Sequence, residues 1–176
     1  MAEECKINHT VLRLVKGDIT EMETDALVYY AQSDLVLGSG FGTAIAAKAG
    51  RSIQEDLKSL SPVGVGDAVV TAAGNMKAKH VIHAVGPKFQ EEDTESKLRA
   101  TMSNALAKAN ESGSKSVVFP PMGAGFYGVP LPLCARVMID SIRSHLEGES
   151  GLEEVVVCVL DSGEYDVFKA SFAGLN

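Results

Sequence analysis

The chain has 176 residues, of which 45% are hydrophobic and 22% are charged, and its formal net charge is −7 at pH 7. This length and composition suit one globular domain over residues 1–176, with a core over about 10–172. The acidic balance and the lack of a cluster of Lys and Arg argue against nucleic acid as the main partner. They do not exclude a small anion, because backbone amides can hold one without basic side chains.

The sequence shows no targeting or membrane signal. The first ten residues, MAEECKINHT, lack the basic region and apolar core of a signal peptide. No apolar run approaches the roughly 18 residues that a membrane span needs. We therefore expect an intracellular protein, cytoplasmic or nuclear, with no membrane partner.

The three cysteines, Cys5, Cys134 and Cys158, are odd in number and widely spaced. This spacing fits neither a disulfide framework nor a zinc site. We expect buried or inert thiols, no metal and no cofactor.

The first half of the chain predicts two strands followed by two helices. Thr10–Lys16 alternates apolar and polar residues, which is typical of a half-buried strand. Asp25–Tyr30 is short, apolar and β-prone, which suits an inner strand. From Thr43 onward apolar residues recur at helical spacing, and Gly50 divides this stretch into two helices. The apolar stripe consists of Ile45, Ala49, Ile53, Leu57 and Leu60.

The second half predicts strands that alternate with helices. Two strands over residues 67–86 turn around Gly74 and Asn75, and the helix Thr94–Glu111 follows. A strand at 115–119, a helix beyond Pro130, the strand Glu154–Leu160 and a short closing helix complete the chain. This alternation predicts a three-layer α/β domain around a largely buried sheet. In such folds ligands lie outside the carboxyl ends of the strands.

Two glycine-rich segments each lie between a predicted strand and a predicted helix. They are residues 35–45, LVLGSGFGTAI, and Phe119–Pro130, FPPMGAGFYGVP. Glycine allows close backbone approach and positive φ, and free N–H groups in such a turn can hold an anion. For Phe119–Pro130 taken alone, a phosphate cradle and an ordinary strand–helix turn are equally good explanations. Both segments, and a turn over Asp161–Tyr165, follow strands and so can converge on one crevice.

Five segments, in order, resemble the macro domain family, the ADP-ribose-binding module. They are GDIT after the first strand, DALV before the place of the family's Asn-Ala-Ala-Asn, LGSGFGTAI, GDAVVTAAGNMKAKHVIHAVGP and FPPMGAGFYGVP. The resemblance runs from about Val11 to about Phe168. It implies a three-layer α/β/α sandwich with a central mixed sheet.

The resemblance also implies how ADP-ribose would bind. Asp18, followed by Ile19, would accept a hydrogen bond from the adenine amino group, although Asp18 taken alone is more typical of a turn or cap residue. The loops Gly38–Thr43 and Gly123–Gly128 would donate backbone N–H groups to the pyrophosphate from two sides. The implied ligand contacts are Asp18, Ile19, Gln32, Gly38, Ser39, Gly40, Phe41, Gly42, Gly123, Ala124, Gly125, Phe126, Tyr127, Leu160 and Asp161.

Three positions depart from the hydrolytic members of this family. Gln32 takes the place of the second Asn of the motif, and Tyr29 replaces the first Asn with a bulky ring. Gly42 stands where those members carry an Asp that is proposed to activate water, and glycine cannot act as a base. We therefore assign no catalytic residue. We expect a binder of ADP-ribose or of ADP-ribosylated protein rather than an enzyme.

Two other functions stay open at this point. The first is hydrolysis of ADP-ribosyl esters, namely mono-ADP-ribosyl-protein or O-acetyl-ADP-ribose. The substrate itself would orient the water, and Gln32 and the Gly123–Gly128 amides would hold the geometry. The second is a scaffold that has lost its ligand, since fold does not fix function.

Overall fold

The computed structural model describes residues 2–88 and 90–175, apart from the side chains at positions 2, 39 and 126. Within these ranges, seven strands form one mixed sheet. The sheet order is β1–β2–β7–β6–β3–β5–β4. The five inner strands are mutually parallel, whereas the edge strands β1 and β4 are antiparallel to their neighbours. The strands are β1 Ala2–Ile7, β2 Thr10–Lys16, β3 Ala26–Ala31, β4 Ala68–Ala72, β5 His80–Val85, β6 Ser116–Phe119 and β7 Glu154–Val159.

Five helices of the described chain cover the two faces of this sheet. The first pair, α1 and α2, packs on one face, and α3, α4 and α5 pack on the other. The helices are α1 Ser39–Ala49, α2 Ser52–Leu60, α3 Thr94–Glu111, α4 Leu131–Glu147 and α5 Ser162–Ala173. The predicted three-layer α/β/α sandwich with a central mixed sheet is therefore confirmed. None of the helices in the described ranges is both long and apolar enough to cross a membrane.

The central strand β3 shows how the sequence builds both cores. All six of its residues are buried, as expected for an inner parallel strand. Successive side chains of a strand point to opposite faces. Tyr30 accordingly joins the core on the α3–α5 side, and Tyr29 joins the core on the α1–α2 side. Strand β3 therefore places two tyrosines near its carboxyl end, one on each face of the sheet.

Two elements differ from the sequence predictions. Strand β1 was not predicted, because its charged residues hide the pattern of an edge strand. Helix α1 begins at Ser39, so the predicted loop Gly38–Thr43 is mostly the first turn of a helix. The predicted break at Gly50 is confirmed, since this residue has a φ of 102° and separates α1 from α2.

Candidate functional site

A cleft with two adjoining chambers lies along the carboxyl ends of the parallel strands. The larger chamber has a volume of about 520 Å³ and is lined by residues that follow β2, β6 and β7, together with residues of α1. The smaller chamber has a volume of about 240 Å³ and lies at the ends of β3 and β6. This is the edge at which open α/β sheets bind ligands.

The two glycine-rich segments meet in the wall that the chambers share. Five residues line both chambers, namely Gly40, Phe41, Pro120, Pro121 and Ala124. Gly40 and Phe41 belong to the first turn of α1, whose backbone N–H groups have no partner within the helix. The N-cap residue, Gly38, has no side chain to cap them. The wall therefore presents amide donors and the positive end of a helix dipole.

The segment after β6 depends on glycine at a specific point. Gly123 has a φ of 83°, a conformation that other residues rarely adopt. A Cβ atom there would lie 2.7 Å from Val129 Cγ2 and 3.0 Å from the Tyr30 hydroxyl oxygen. Gly123 thus lets the backbone of this segment pass close to the end of β3.

Asp18 lines the larger chamber and also caps a short 3₁₀ turn over Ile19–Glu21. Its Oδ1 accepts hydrogen bonds from the Thr20 hydroxyl at 2.6 Å and from the Thr20 backbone N–H at 2.9 Å. These bonds hold the pKa of Asp18 below its usual value. Its Oδ2 lies 3.8 Å from Lys48 Nζ. Asp18 is therefore a cap residue through one oxygen, and its second oxygen can accept a further hydrogen bond.

The start of α5 places a leucine and a glutamate on the larger chamber. Leu160 is 74% exposed and offers an apolar surface there. Glu164 Oε1 accepts from the Leu160 backbone N–H at 2.8 Å. Asp161 Oδ1 accepts from the Glu164 backbone N–H at 2.9 Å, which makes Asp161 the N-cap of α5. The lining that the structure describes includes Leu160 and Glu164 but not Asp161.

Cys158 is a buried thiol in the lining of the larger chamber. Burial raises its pKa to about 11, and its Sγ lies 3.5 Å from the Gly17 carbonyl oxygen. The group therefore stays protonated near neutral pH and is a poor nucleophile.

Three tyrosines line the smaller chamber. The Tyr30 hydroxyl donates to the Pro87 carbonyl oxygen, and burial raises its pKa. The Tyr127 ring lies against the Tyr30 ring, with 5.2 Å between centroids. Burial also raises the pKa of Tyr127, and hydrogen bonds with Tyr29 and Gln32 oppose that rise. The end of β3 and the segment after β6 are therefore joined by side-chain contacts at this chamber.

Tyr29 and Gly42 are sterically matched. The Tyr29 hydroxyl donates to the Gly38 carbonyl oxygen at 3.1 Å, and its ring packs edge-on against Phe41. A Cβ atom at position 42 would lie 2.5 Å from that hydroxyl oxygen and 2.9 Å from the Leu37 carbonyl carbon. A side chain at position 42 is incompatible with this packing. Tyr29 and Gly42 are thus parts of one local packing arrangement.

The structure brings together eight of the residues predicted to contact a ligand: Asp18, Ile19, Gly40, Phe41, Gly123, Ala124, Tyr127 and Leu160. Five others lie outside the lining that the structure describes, namely Gln32, Gly38, Gly42, Gly125 and Asp161. The predicted contacts of the Ser39 and Phe126 side chains lie outside the described part of the chain. Contact of any of these residues with a ligand stays a prediction.

Sequence reasoning missed several lining residues: Gly17, Thr20, Tyr29, Tyr30, Ala44, Pro120, Pro121, Cys158 and Glu164. Three of these, Pro120, Pro121 and Glu164, carried a usable signal. The Pro-Pro pair directly precedes the glycine-rich segment, where the chain must leave the sheet. Glu164 follows Asp161 by three residues, which is the spacing of a helix-capping pair.

Comparison with known proteins agrees with this architecture. The Macro domain family model matches residues 28–138. A protein of Saccharolobus solfataricus is 42% identical over 163 residues, which is 90% of each chain. A macro domain-containing protein of Caldanaerobacter subterraneus is 35% identical over 171 residues, covering 94% of this chain and 97% of that one.

Solved structures show the same fold. The Oceanobacillus iheyensis macrodomain with ADP aligns with a TM-score of 0.95 at 24% identity, covering 99% of this chain and 96% of that one. The Trypanosoma brucei macrodomain in complex with ADP-ribose aligns with a TM-score of 0.86 at 25% identity, covering 92% and 68%. The resemblance predicted from the sequence is confirmed, and the chain belongs to the macro domain family.

Proposed function

We propose that this protein binds ADP-ribose, free or attached to a protein, in the two-chambered cleft. The observation that carries the proposal is the shared wall, in which the first turn of α1 faces the glycine-rich segment after β6. Two chambers that share a wall containing the first-turn amides of α1 match a ligand with two bulky ends and a diphosphate between them. Along the sheet, β2 and β3 are three positions apart, roughly 14 Å at the usual spacing between strands.

The larger chamber suits the adenosine end of the ligand. Leu160 and Ile19 offer apolar surface to a planar base. Asp18 Oδ2 can accept a hydrogen bond from the exocyclic amino group of adenine, because a carboxylate is purely an acceptor. The smaller chamber, lined by aromatic rings, would receive the terminal ribose.

The diphosphate would lie on the shared wall. The charged residues in the lining that the structure describes are the carboxylates Asp18 and Glu164. An anion in this cleft must therefore be held by backbone N–H groups and by the dipole of α1. This arrangement explains how a protein with a net charge of −7 can bind a dianionic bridge. The solved relatives that contain ADP or ADP-ribose support the same ligand class.

Hydrolysis of ADP-ribosyl esters is the competing function, and the residues that line the smaller chamber do not favour it. Gly42 has no side chain, and the Tyr29 hydroxyl is engaged as a donor to Gly38. Among the described residues that line this chamber, none is a carboxylate or a histidine. A general base typically contributes about 10²–10⁴-fold in rate. Any turnover would therefore be slow and would depend on the substrate to orient the water.

Isothermal titration calorimetry with ADP-ribose tests binding directly. We expect one site per chain, and weaker binding of AMP because AMP lacks the second phosphate. The absence of binding at high micromolar ADP-ribose would reject the proposal. Release of ADP-ribose from a modified protein, followed on a gel, tests hydrolysis separately. A rate well above the uncatalysed one would favour the enzyme instead.

A further inference from the structure

We propose that Lys48 and Thr20 are positioning residues for base recognition: they hold the Asp18 carboxylate in one orientation, and this makes the larger chamber select adenine over a 6-oxopurine. The inference rests on the proposed function and names the part of the ligand that the larger chamber distinguishes. It is carried by a series of hydrogen bonds that runs from helix α1 through the 3₁₀ turn Ile19–Glu21 to the lining of the chamber.

The Thr20 hydroxyl is the middle member of this series. It accepts a hydrogen bond from Lys48 Nζ at 2.8 Å and donates one to Asp18 Oδ1 at 2.6 Å. The direction of both bonds is fixed, because an ammonium group is only a donor and the hydroxyl proton is then available to the carboxylate. Thr20 is 6% exposed, so solvent competes little for either bond.

The two oxygens of Asp18 therefore have different roles. Oδ1 accepts from the hydroxyl and from the backbone N–H of Thr20. Oδ2 lies 3.8 Å from Lys48 Nζ, which is too long for a direct hydrogen bond but close enough for electrostatic attraction. The bonds from Thr20 and the charge of Lys48 hold the pKa of Asp18 below its usual value. Near neutral pH, Oδ2 is thus an ionised acceptor in a fixed place.

Lys48 is itself held in place by the residues around it. Its Nζ also donates to Glu21 Oε1 at 2.5 Å, and Lys77 Nζ lies 3.1 Å from Glu21 Oε2. Lys48 belongs to the last turn of α1, and Gly40 in the first turn of the same helix lines both chambers. One helix therefore supports both the amides proposed for the diphosphate and the carboxylate proposed for the base.

A fixed carboxylate distinguishes two kinds of purine. Adenine has an amino group at its 6-position, which can donate to Asp18 Oδ2, whereas a 6-oxopurine has a carbonyl oxygen there, whose lone pairs would face the carboxylate. A carboxylate that is free to turn could accept from the N1–H of the 6-oxopurine instead. A site built to pair with a donor of its ligand selects against the analogue that lacks this donor. The strength of the selection therefore depends on how firmly Asp18 is held.

The test compares ADP-ribose with its hypoxanthine analogue, in which a carbonyl replaces the amino group of the base, by calorimetry at pH 7. The wild-type protein should bind ADP-ribose at least about tenfold more tightly than the analogue. Thr20→Val keeps the shape of the side chain but removes the hydroxyl, and the ratio of the two affinities should fall at least about threefold. Lys48→Met removes the charge and should lower the ratio about two- to fivefold. Because Lys48 is partly exposed, this variant decides the question should Thr20→Val fold poorly.

Lys77→Met is the matched control. Lys77 pairs with the same carboxylate as Lys48, that of Glu21, but in the described part of the chain its ion pair does not extend to Asp18. This variant removes one positive charge from the same cluster and leaves the bonds of Thr20 in place. It should keep the wild-type ratio of affinities.

The outcomes separate this inference from the proposed function. Equal wild-type affinity for the two purines overturns the selection and leaves nucleotide binding intact. A ratio that stays unchanged in folded Thr20→Val or Lys48→Met overturns the positioning role, even where both ligands bind more weakly. A fall in Lys77→Met as large as that in Lys48→Met assigns the effect to general charge and also overturns it. Failure of the wild-type protein to bind ADP-ribose rejects the proposed function, and this inference with it.

Discussion

Adding a single methyl group at Gly40 should separate ligand binding from folding. Gly40 lies in the first turn of α1 and lines both chambers. A Cβ atom built there has no heavy atom within 4 Å, so Gly40→Ala fits the protein without a clash. In the proposed complex, however, that methyl group would lie where the diphosphate approaches the amides of α1.

The expected effects on stability and affinity have opposite signs. Alanine is better than glycine inside a helix by about 0.8–1.0 kcal/mol, and this gain is smaller in a first turn. The melting temperature should therefore stay level or rise. A hydrogen bond to a charged group contributes about 1.5–3 kcal/mol. Loss of one amide–phosphate bond should weaken ADP-ribose binding by roughly 10- to 150-fold.

Gly174→Ala is the matched control. Gly174 has a right-handed helical φ of −74°, and a Cβ atom there would lie at an ordinary contact distance of 3.5 Å from the Ser171 carbonyl oxygen. It lies outside the described lining of both chambers. Calorimetry should show near wild-type affinity for this variant. The reasoning is refuted if Gly40→Ala is folded and binds ADP-ribose as tightly as the wild-type protein.

Three further predictions concern other parts of the molecule. Leu160→Ala should weaken ADP-ribose binding about fivefold in calorimetry, because apolar surface that the ligand would cover, worth roughly 1 kcal/mol, is removed. Val36→Ala changes another exposed apolar residue, outside the lining, and should leave the affinity unchanged; equal effects of the two substitutions would contradict the role of Leu160. The wild-type protein should bind ADP-ribose more tightly than ADP-ribose that carries an added 2′-phosphate, because the carboxylate of Glu164 lines the adenosine chamber and repels the extra charge. A preference that is unchanged in Glu164→Gln would contradict this prediction. Burial lowers the pKa of His83 to about 4 from 6.5, so this group stabilises the fold above pH 6.5, and about 3 kcal/mol of stability should be lost as the pH falls towards 4. Urea unfolding at pH 6.5 and at pH 4 should show this loss of stability for the wild-type protein and a smaller loss for His83→Asn. Equal losses in the two proteins would contradict the prediction.

Much of the fold follows from local patterns in the sequence. Helix α3 has the predicted bounds Thr94–Glu111, because its apolar stripe is regular and uninterrupted. The start of α1 was placed too late, because the glycines at positions 40 and 42 have low helix propensity. Their cost is tolerated in a first turn that packs on Tyr29. Such a tertiary contact leaves no trace in a local pattern.

The location of the site was predictable from the sequence, but the packing of its side chains was not. The glycine-rich segments and the end of β2 do meet at one cleft, because the carboxyl ends of parallel strands share one edge of the sheet. Asp161 caps α5 through its side chain, which the sequence alone does not show, and its contact with a ligand stays a prediction. The match between Tyr29 and Gly42 needs coordinates, because it joins two residues that are distant in the chain. In this chain the position of Tyr29 and of the Leu37 backbone therefore requires glycine at position 42.

A crystal structure with ADP-ribose tests the central claim most directly. We predict adenine against Leu160 and Asp18, the diphosphate on the amides of Gly40 and Ala124, and the terminal ribose beside Tyr127. A diphosphate held away from the shared wall, or a ligand bound outside the two chambers, would contradict the account.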